Sequence, residues 1–492
     1  MKIKYLSIIV AFIGVLLMQS CSETYLDTQP TDRVSSSDVY TSTKGGISVL
    51  NGIYRYMYSY NTYDRTRGRH DDFGQHSINL ALDVMSDDMP MTIAYFFTSD
   101  YNYLYTERDD YSRTHMIWNF YYDIVNNANG ILDNQEAFQG EPEEVNYVVG
   151  QAYALRAYAY YYLVNLYQHT YKGNENKPAV PLYTTQSPVG DEVATVQEVY
   201  NRITSDLDQA VNLLDGASSQ KHPSHISVHT ARAIYARVAM TMEDWKKAEE
   251  MASAAKAGGA LMSQADYKSG FNSSKNSEWL WGFNVNTDDN PIYPSFYSHM
   301  DPNQGGYGGA LGNYKQINQR LYDAFPDTDV RKQVFKTDTT FIKTEDVVTD
   351  TSVIYSQYKF ISTGTFLGDL VMQRVAEAYL IEAEAMARQN NFTGAQQVLF
   401  DLVSARNSKY EKSTSTGQDL IDEIVLNSRI ELWGEGRRWL DIKRMKVDLD
   451  RSCDNLNESL ARYITLPAGD DHFIFPIPRL EKDVNDLVEP NK

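Results

Sequence analysis

Cysteine is almost missing from this 492-residue chain, which contains only Cys21 and Cys453. A disulfide framework is therefore excluded, and packing must supply the stability. Basic residues are short as well, 45 Lys and Arg against 65 Asp and Glu, for a formal net charge of −20. So acidic a chain is a poor partner for nucleic acid and for anionic lipid surfaces. No apolar run approaches the ~20 residues that span a bilayer. Also missing are a Gly-x-Ser-x-Gly elbow, a phosphate loop ending in Gly-Lys-Ser/Thr, a Cys-x-x-Cys pair and an Asp-x-Asp-x-Asp-Gly calcium loop, which leaves little for catalysis, cofactors or calcium to build on.

What is present begins at the N-terminus. Lys2 and Lys4 precede an apolar stretch from Leu6 to Met18, followed by Gln19, Ser20 and Cys21. This order reads as an export leader over residues 1–20 ending at a lipidated Cys21. Loss of the leader makes the chain two units more negative, so a lipid must supply the membrane attachment that charge opposes. Residues 21–40 are polar and broken by Pro30, and read as a tether.

Beyond the tether, apolar residues recur at three- and four-residue steps, so the fold class is mainly α. The spacing predicts helices over Thr43–Tyr58, Ile117–Leu132, Glu144–Tyr167, Val196–Leu214, Val228–Met242, Trp245–Ala257, Leu370–Arg388, Thr393–Arg406 and Asp419–Gly434. Between Met262 and Gly368 the pattern lapses into loops and strand-like runs such as Glu278–Phe283. An internal repeat organises the scaffold. Ala236, Asp244, Trp245, Ala248 and Met251 align with Ala383, Asn391, Phe392, Ala395 and Val398 at a constant offset of 147 residues. A small-residue helix, a polar turn, an aromatic and a second helix follow the logic of tetratricopeptide pairs, here interrupted by insertions.

These residues bring a family into view. Cys21 with Tyr25-Leu26-Asp27 and Gln29-Pro30, the Gly150–Tyr158 and Leu163–Tyr167 segments, Glu377–Ala385, Arg429–Arg444 and Phe475-Pro476-Ile477-Pro478 occur in an order that resembles the SusD/RagB family of outer-membrane nutrient-binding lipoproteins. Asn427 and Ser428 stand where that family usually carries Glu-Arg. The resemblance implies a helical scaffold with an N-terminal region over 41–280 and a C-terminal region over 281–492 that includes the ligand-loop insertion. It implies an exterior-facing lipoprotein that captures an oligosaccharide for a SusC-like TonB-dependent β-barrel, with a peptide as the alternative ligand. It also implies binding without hydrolysis; a helical glycoside hydrolase or a helix-docking adaptor is the competing class.

Within the C-terminal segment, Glu431, Glu435, Arg437, Arg438 and Asp441 alternate with Trp433 and Trp439, a pattern suited to a shielded charge network. His222, His225 and His229 lack a carboxylate or cysteine to complete a metal set and read as solvated imidazoles at a helix start. Asp71-Asp72, Asp87-Asp88, Asp109-Asp110 and Asp288-Asp289 read as solvated loop pairs, although two carboxylates ~5–9.5 Å apart would suit a glycosidase. The Gly305–Gly312 run reads as a mobile loop. For a sugar site, exposed rings in loops are the natural choice. With 37 tyrosines against 18 phenylalanines and the tryptophans in helices, a repeat turn or strand-like segments, the candidates are Tyr95, Phe97, Tyr101, Tyr103, Tyr293 and Tyr297.

Overall fold

The computed structural model describes residues 39–62, 68–217, 219–343, 346–349 and 353–492. The leader, Cys21 and all but the last two residues of the expected tether lie outside them. The main helices are α1 (Thr43–Tyr58), α2 (Gln75–Met85), α3 (Ser112–Asp133), α4 (Pro142–Tyr167), α5 (Val196–Asp215), α6 (Val228–Met242), α7 (Trp245–Ala255), α8 (Val375–Arg388), α9 (Phe392–Arg406), α10 (Gly417–Glu431) and α11 (Arg438–Met445). Local chemistry sets several boundaries. Ser42 caps α1, Ser227 caps α6, and Thr195 with Glu198 forms a reciprocal capping box on α5. Helix α4 begins with Pro142 and two glutamates, then runs between α3 and α5 with every face buried after its first turns.

The repeat persists in backbone detail. Glu243 and Asn390, 147 residues apart, both take a left-handed conformation, with φ of 61° and 63°. The next residues, Asp244 and Asn391, bond back to the carbonyls of Ala239 and Met386 at 2.9 Å and cap the following helix with their side chains. Ala236, Ala248, Ala383 and Ala395 are fully buried where each pair packs.

Two features depart from the periodicity. The segment Leu370–Arg388 is not one helix: Leu370–Arg374 is a strand paired antiparallel with Trp279–Phe283, and the helix starts at Val375. The apolar residues Leu370–Met372 stand just ahead of Val375 and Ala376, so they read as part of the helical pattern and hide the change of period. Helix α2 lacks a stripe because all eleven of its residues are buried, so no polar face marks it in the sequence.

The far end of the chain closes α2. Arg451, itself buried, donates to the carbonyls of Val84 at 2.9 Å, Ser86 at 3.1 Å and Tyr101 at 2.7 Å. Carbonyls at a helix end need such partners when water is excluded. The main apolar core extends from Leu50 to Val488 and joins both halves of the sequence; a smaller one lies between α8, α9 and α10.

Candidate ligand-binding site

Exposed aromatic surface concentrates where two distant segments meet. Tyr95 is 46% exposed and Tyr293 48%, and both rings approach Tyr307, at 5.2 Å and 6.3 Å between centroids. Phe96 packs edge-on to Tyr307 at 5.0 Å, and His299 stacks beneath it at 4.6 Å. His70 ties the layers together, with Nδ1 on the Tyr307 hydroxyl and its carbonyl accepting from His299 Nε2 at 2.8 Å. Burial pushes His299 down to about 3, so its ring stays neutral under the platform. The exposed Ile93, Ile292 and Leu311 adjoin these rings in sequence and extend the apolar surface.

The platform is held by costly backbone. Phe97 (φ 69°), Ile292 (67°) and Phe366 (55°) are all left-handed, and Ile292 is β-branched. Phe97 follows the Tyr95–Phe96 pair, Ile292 precedes Tyr293, and the Phe366 ring lies 5.6 Å from Tyr293. Strain of this kind persists only where the surroundings enforce it and clusters at working surfaces. Glycines make the close approach possible. A Cβ on Gly306 would sit 2.6 Å from the Ser298 carbonyl and 2.7 Å from the Phe366 ring. The run expected to be mobile is thus packed, with Gly308 N bonded to Ser298 O at 2.8 Å and Asn313 N to Tyr307 O at 3.1 Å.

Beside the rings opens a cleft of about 550 Å³ walled by Arg69, His70, Tyr95, Phe96, Ser99 and Tyr105. Arg69 is oriented by Asp71 at 2.7 Å, Ser112 at 2.5 Å and Tyr105 at 3.2 Å. Burial acts to raise Asp71, but the Arg113 and Arg69 guanidiniums hold it below the usual carboxylate range. The arrangement offers ring faces with a fixed guanidinium at the rim. It suits stacking and hydrogen bonding of an uncharged polar ligand.

The six rings chosen from sequence divide. Tyr95 and Tyr293 are on this surface. Phe97, Tyr101, Tyr103 and Tyr297 are buried, which corrects their reading as wet rings, although Phe97 still lines the cleft from within. Tyr101 and Tyr103 clasp the Arg451 guanidinium at 4.5 and 5.0 Å, and Phe97 covers that of Arg113 at 5.1 Å. A buried cation needs such π-faces once its water is gone. The Tyr297 hydroxyl donates to the carbonyls of Phe271 and Asp369, both at 2.8 Å. His70, Phe96, His299 and Tyr307 join the surface without being among the six; Phe96 and Tyr307 fall in the same two aromatic loops, whereas no pattern in the sequence marks His70 or His299.

Comparison with known proteins now decides the family. Residues 25–240 match a model described as starch-binding associating with outer membrane, and residues 355–491 match the SusD family model. The chain belongs to the SusD family. A SusD-like protein P2 of Formosa agariphila is 25% identical over 433 residues, 79% of this chain and 82% of that protein. A SusD-like carbohydrate binding protein from Bacteroides vulgatus superposes with a TM-score of 0.79 at 25% identity, covering 91% of this chain and 98% of that one. Surface glycan-binding protein A from Bacteroides thetaiotaomicron gives 0.68 at 16% identity over 92% and 100%, a likeness of fold alone. Among the described residues no helix is long and apolar enough to cross a membrane.

The SusD-family segment at the C-terminus does form a charge network, but its acids pair elsewhere than expected. Glu431 meets Arg374 at 2.9 Å, Arg406 at 3.1 Å and, less closely, Arg331; Glu435 takes Arg374 at 2.7 Å and Lys359 at 2.6 Å. Glu278 bridges Arg374 and Arg406, and Asp329 holds Arg331. Four cations face four carboxylates with almost no exposure. Burial alone would raise Glu431, yet Arg406, Arg374 and Arg331 hold it well below the carboxylate range. Asn427 joins the network as an uncharged acceptor from Arg331 at 2.9 Å. Arg437 turns instead to Glu377, which also pairs with Arg237.

Two of the four acidic pairs and one of the three histidines are corrected too, while Asp109-Asp110, Asp288-Asp289 and His222 keep contact with solvent. Asp71, Asp72, Asp87 and Asp88 are buried, and Asp87-Asp88 clamps Arg429 and Arg438 from over 340 residues away. His225 is buried between Tyr147 and Asn51, both at 2.7 Å, and burial pushes it down to about 4.

Proposed function

We propose that this chain is a lipid-anchored outer-membrane protein that captures an oligosaccharide on the Tyr95–Tyr307–Tyr293 platform and passes it to a SusC-like TonB-dependent β-barrel. The observation that carries the proposal is the platform itself: half-wet rings held on strained backbone beside a cleft. Sugars present C–H faces to such rings and hydroxyls to neighbours such as Arg69. The family description and the carbohydrate-binding relative from Bacteroides vulgatus support this ligand class. Binding without hydrolysis is supported by Asp71, the carboxylate that lines the cleft among the described residues, which is committed to Arg69 and Arg113. Cys21 supplies the anchor.

The test compares wild type with Tyr95→Ala/Tyr293→Ala on neutral oligosaccharides, maltoheptaose first, by calorimetry with reducing-end analysis. Binding lost without product release is expected; binding unchanged in the double variant places the ligand elsewhere, and released reducing ends make the protein an enzyme. For the anchor, Cys21→Ser is expected to move the protein to the soluble fraction. For the partner, mild detergent extraction is expected to recover it with a large β-barrel protein; recovery as a lone monomer in several detergents argues for an independent binder.

A further inference from the structure

A second groove lies further along α3, away from the platform. It measures about 360 Å³, within the range of small-ligand sites. Its floor is aromatic. Trp118 and Tyr122 lie 4.8 Å apart, and Tyr122 meets Tyr183 at 5.7 Å. The polar ends of all three rings are already committed: Trp118 Nε1 donates to Glu481 at 3.3 Å, the Tyr122 hydroxyl to Pro181 O at 2.8 Å, and the Tyr183 hydroxyl accepts from Asp191 N at 3.1 Å. The rings are therefore fixed in orientation: Trp118 is buried and backs the half-buried Tyr122 and Tyr183, and the Tyr183 hydroxyl keeps its own proton to donate.

Along the same wall stand Asn119 and Asn126, seven residues apart and so on one face of α3. Among the described residues neither side-chain amide has a hydrogen-bond partner. Val189 and Val484, 70% and 80% exposed, form opposing lips. The lining contains Asp123 and Glu481 but no lysine or arginine, so it disfavours an anionic ligand. Fixed ring faces, two free amides and no cation fit one chemistry.

We infer that this groove is a second binding site for a neutral oligosaccharide. The inference rests on the carbohydrate-binding reading of the chain but not on the platform residues. Arg69 of the first cleft reaches Ser112 at the start of α3, and Asn126 lies about 21 Å further along the axis at 1.5 Å per residue. Two sites on one rigid helix can hold a long glycan at two points, which raises apparent affinity for polymers above that for short fragments.

The experiment uses the full mature chain on an array of neutral and acidic plant, algal and host glycans. The probes are wild type, Asn119→Ala/Asn126→Trp, Asn126→Gln and Tyr95→Ala/Tyr293→Ala. The groove variant is expected to weaken binding of neutral polysaccharides about three- to tenfold, the size of one or two lost hydrogen bonds. Its melting temperature is expected to be unchanged, and Asn126→Gln to retain binding because it keeps the amide. If the tryptophan perturbs the helix, Val484→Asp tests the groove from its exposed lip with the same expected loss. Unchanged binding in the groove variants overturns the second site whatever the platform variant does. Loss in the platform variant alone leaves the proposed function standing and removes this inference. A wild type that binds only acidic glycans, only peptides or nothing on the array overturns the groove as a neutral-sugar site.

Discussion

The ion network around Glu431 and the platform around Tyr307 are both rich in groups that proteins usually keep wet, yet they are built on opposite terms. In the network every charge but that of Glu435 is dry, every carboxylate meets a guanidinium or ammonium, and the sum is zero. On the platform the ring faces are left open and the backbone carries the strain, at Phe97, Ile292 and Phe366. One region spends its polar groups entirely on itself; the other holds surface in reserve. Which of the two a residue belongs to decides whether its loss is felt as stability or as binding.

The sharpest break of this comparison is Arg374→Met. It takes one partner from each of Glu278, Glu431 and Glu435, leaves the buried cluster one charge negative, and is expected to cost about 3–5 kcal/mol in denaturant unfolding. Folding at wild-type stability would mean that the network is not a unit. Next is pH. Glu377, held at about 2 against its burial by Arg237 and Arg437, contributes stability above the ordinary value near 4.5, and that stability is lost as pH falls toward 2. The contribution is on the order of 3 kcal/mol, so Glu377→Gln is expected to start lower at pH 7 and to fall less across that window. Third, Tyr95→Ala and Tyr293→Ala are each expected to remove about 1–3 kcal/mol of binding as stacking rings. Stability should move by no more than about 0.5 kcal/mol, because both side chains are half in water. A large fall in melting temperature would move them from the platform to the core. The smallest effect is Ile292→Gly, which relieves a left-handed β-branched residue and is expected to gain about 1 kcal/mol or less. Affinity is expected to fall at the same time, because Tyr293 loses its fixed approach.

Much of the scaffold was legible because amphipathic helices announce themselves. Thr43–Tyr58 and Val228–Met242 follow their stripes to the residue. Helix α2 was not legible for the converse reason, being buried all round. The charge network was visible as Glu431 and Glu435, but its partners Arg374, Arg406 and Lys359 come from elements far away in sequence, and pairing across space leaves no periodic trace. The site was half legible. Tyrosines in two loop segments pointed to Tyr95 and Tyr293, the exposed rings of the candidate surface, but composition does not say which rings are needed inside. Tyr101, Tyr103 and Phe97 were claimed by Arg451 and Arg113. The left-handed positions were hidden as well, since none of the three is a glycine.

Arg451 carries one more consequence, for the order of events during synthesis and export. A polypeptide that emerges N-terminus first exposes α2, Tyr101 and Tyr103 long before the residue that closes them has appeared. Until it arrives, the carbonyls of Val84, Ser86 and Tyr101 have no guanidinium to meet, and the apolar faces around them stay open. Contacts spanning some 350 residues form slowly, because a long loop must close first. Nascent chains of this protein therefore pass through a lengthy interval in which the N-terminal third is made but not finished, the interval in which holding chaperones matter most.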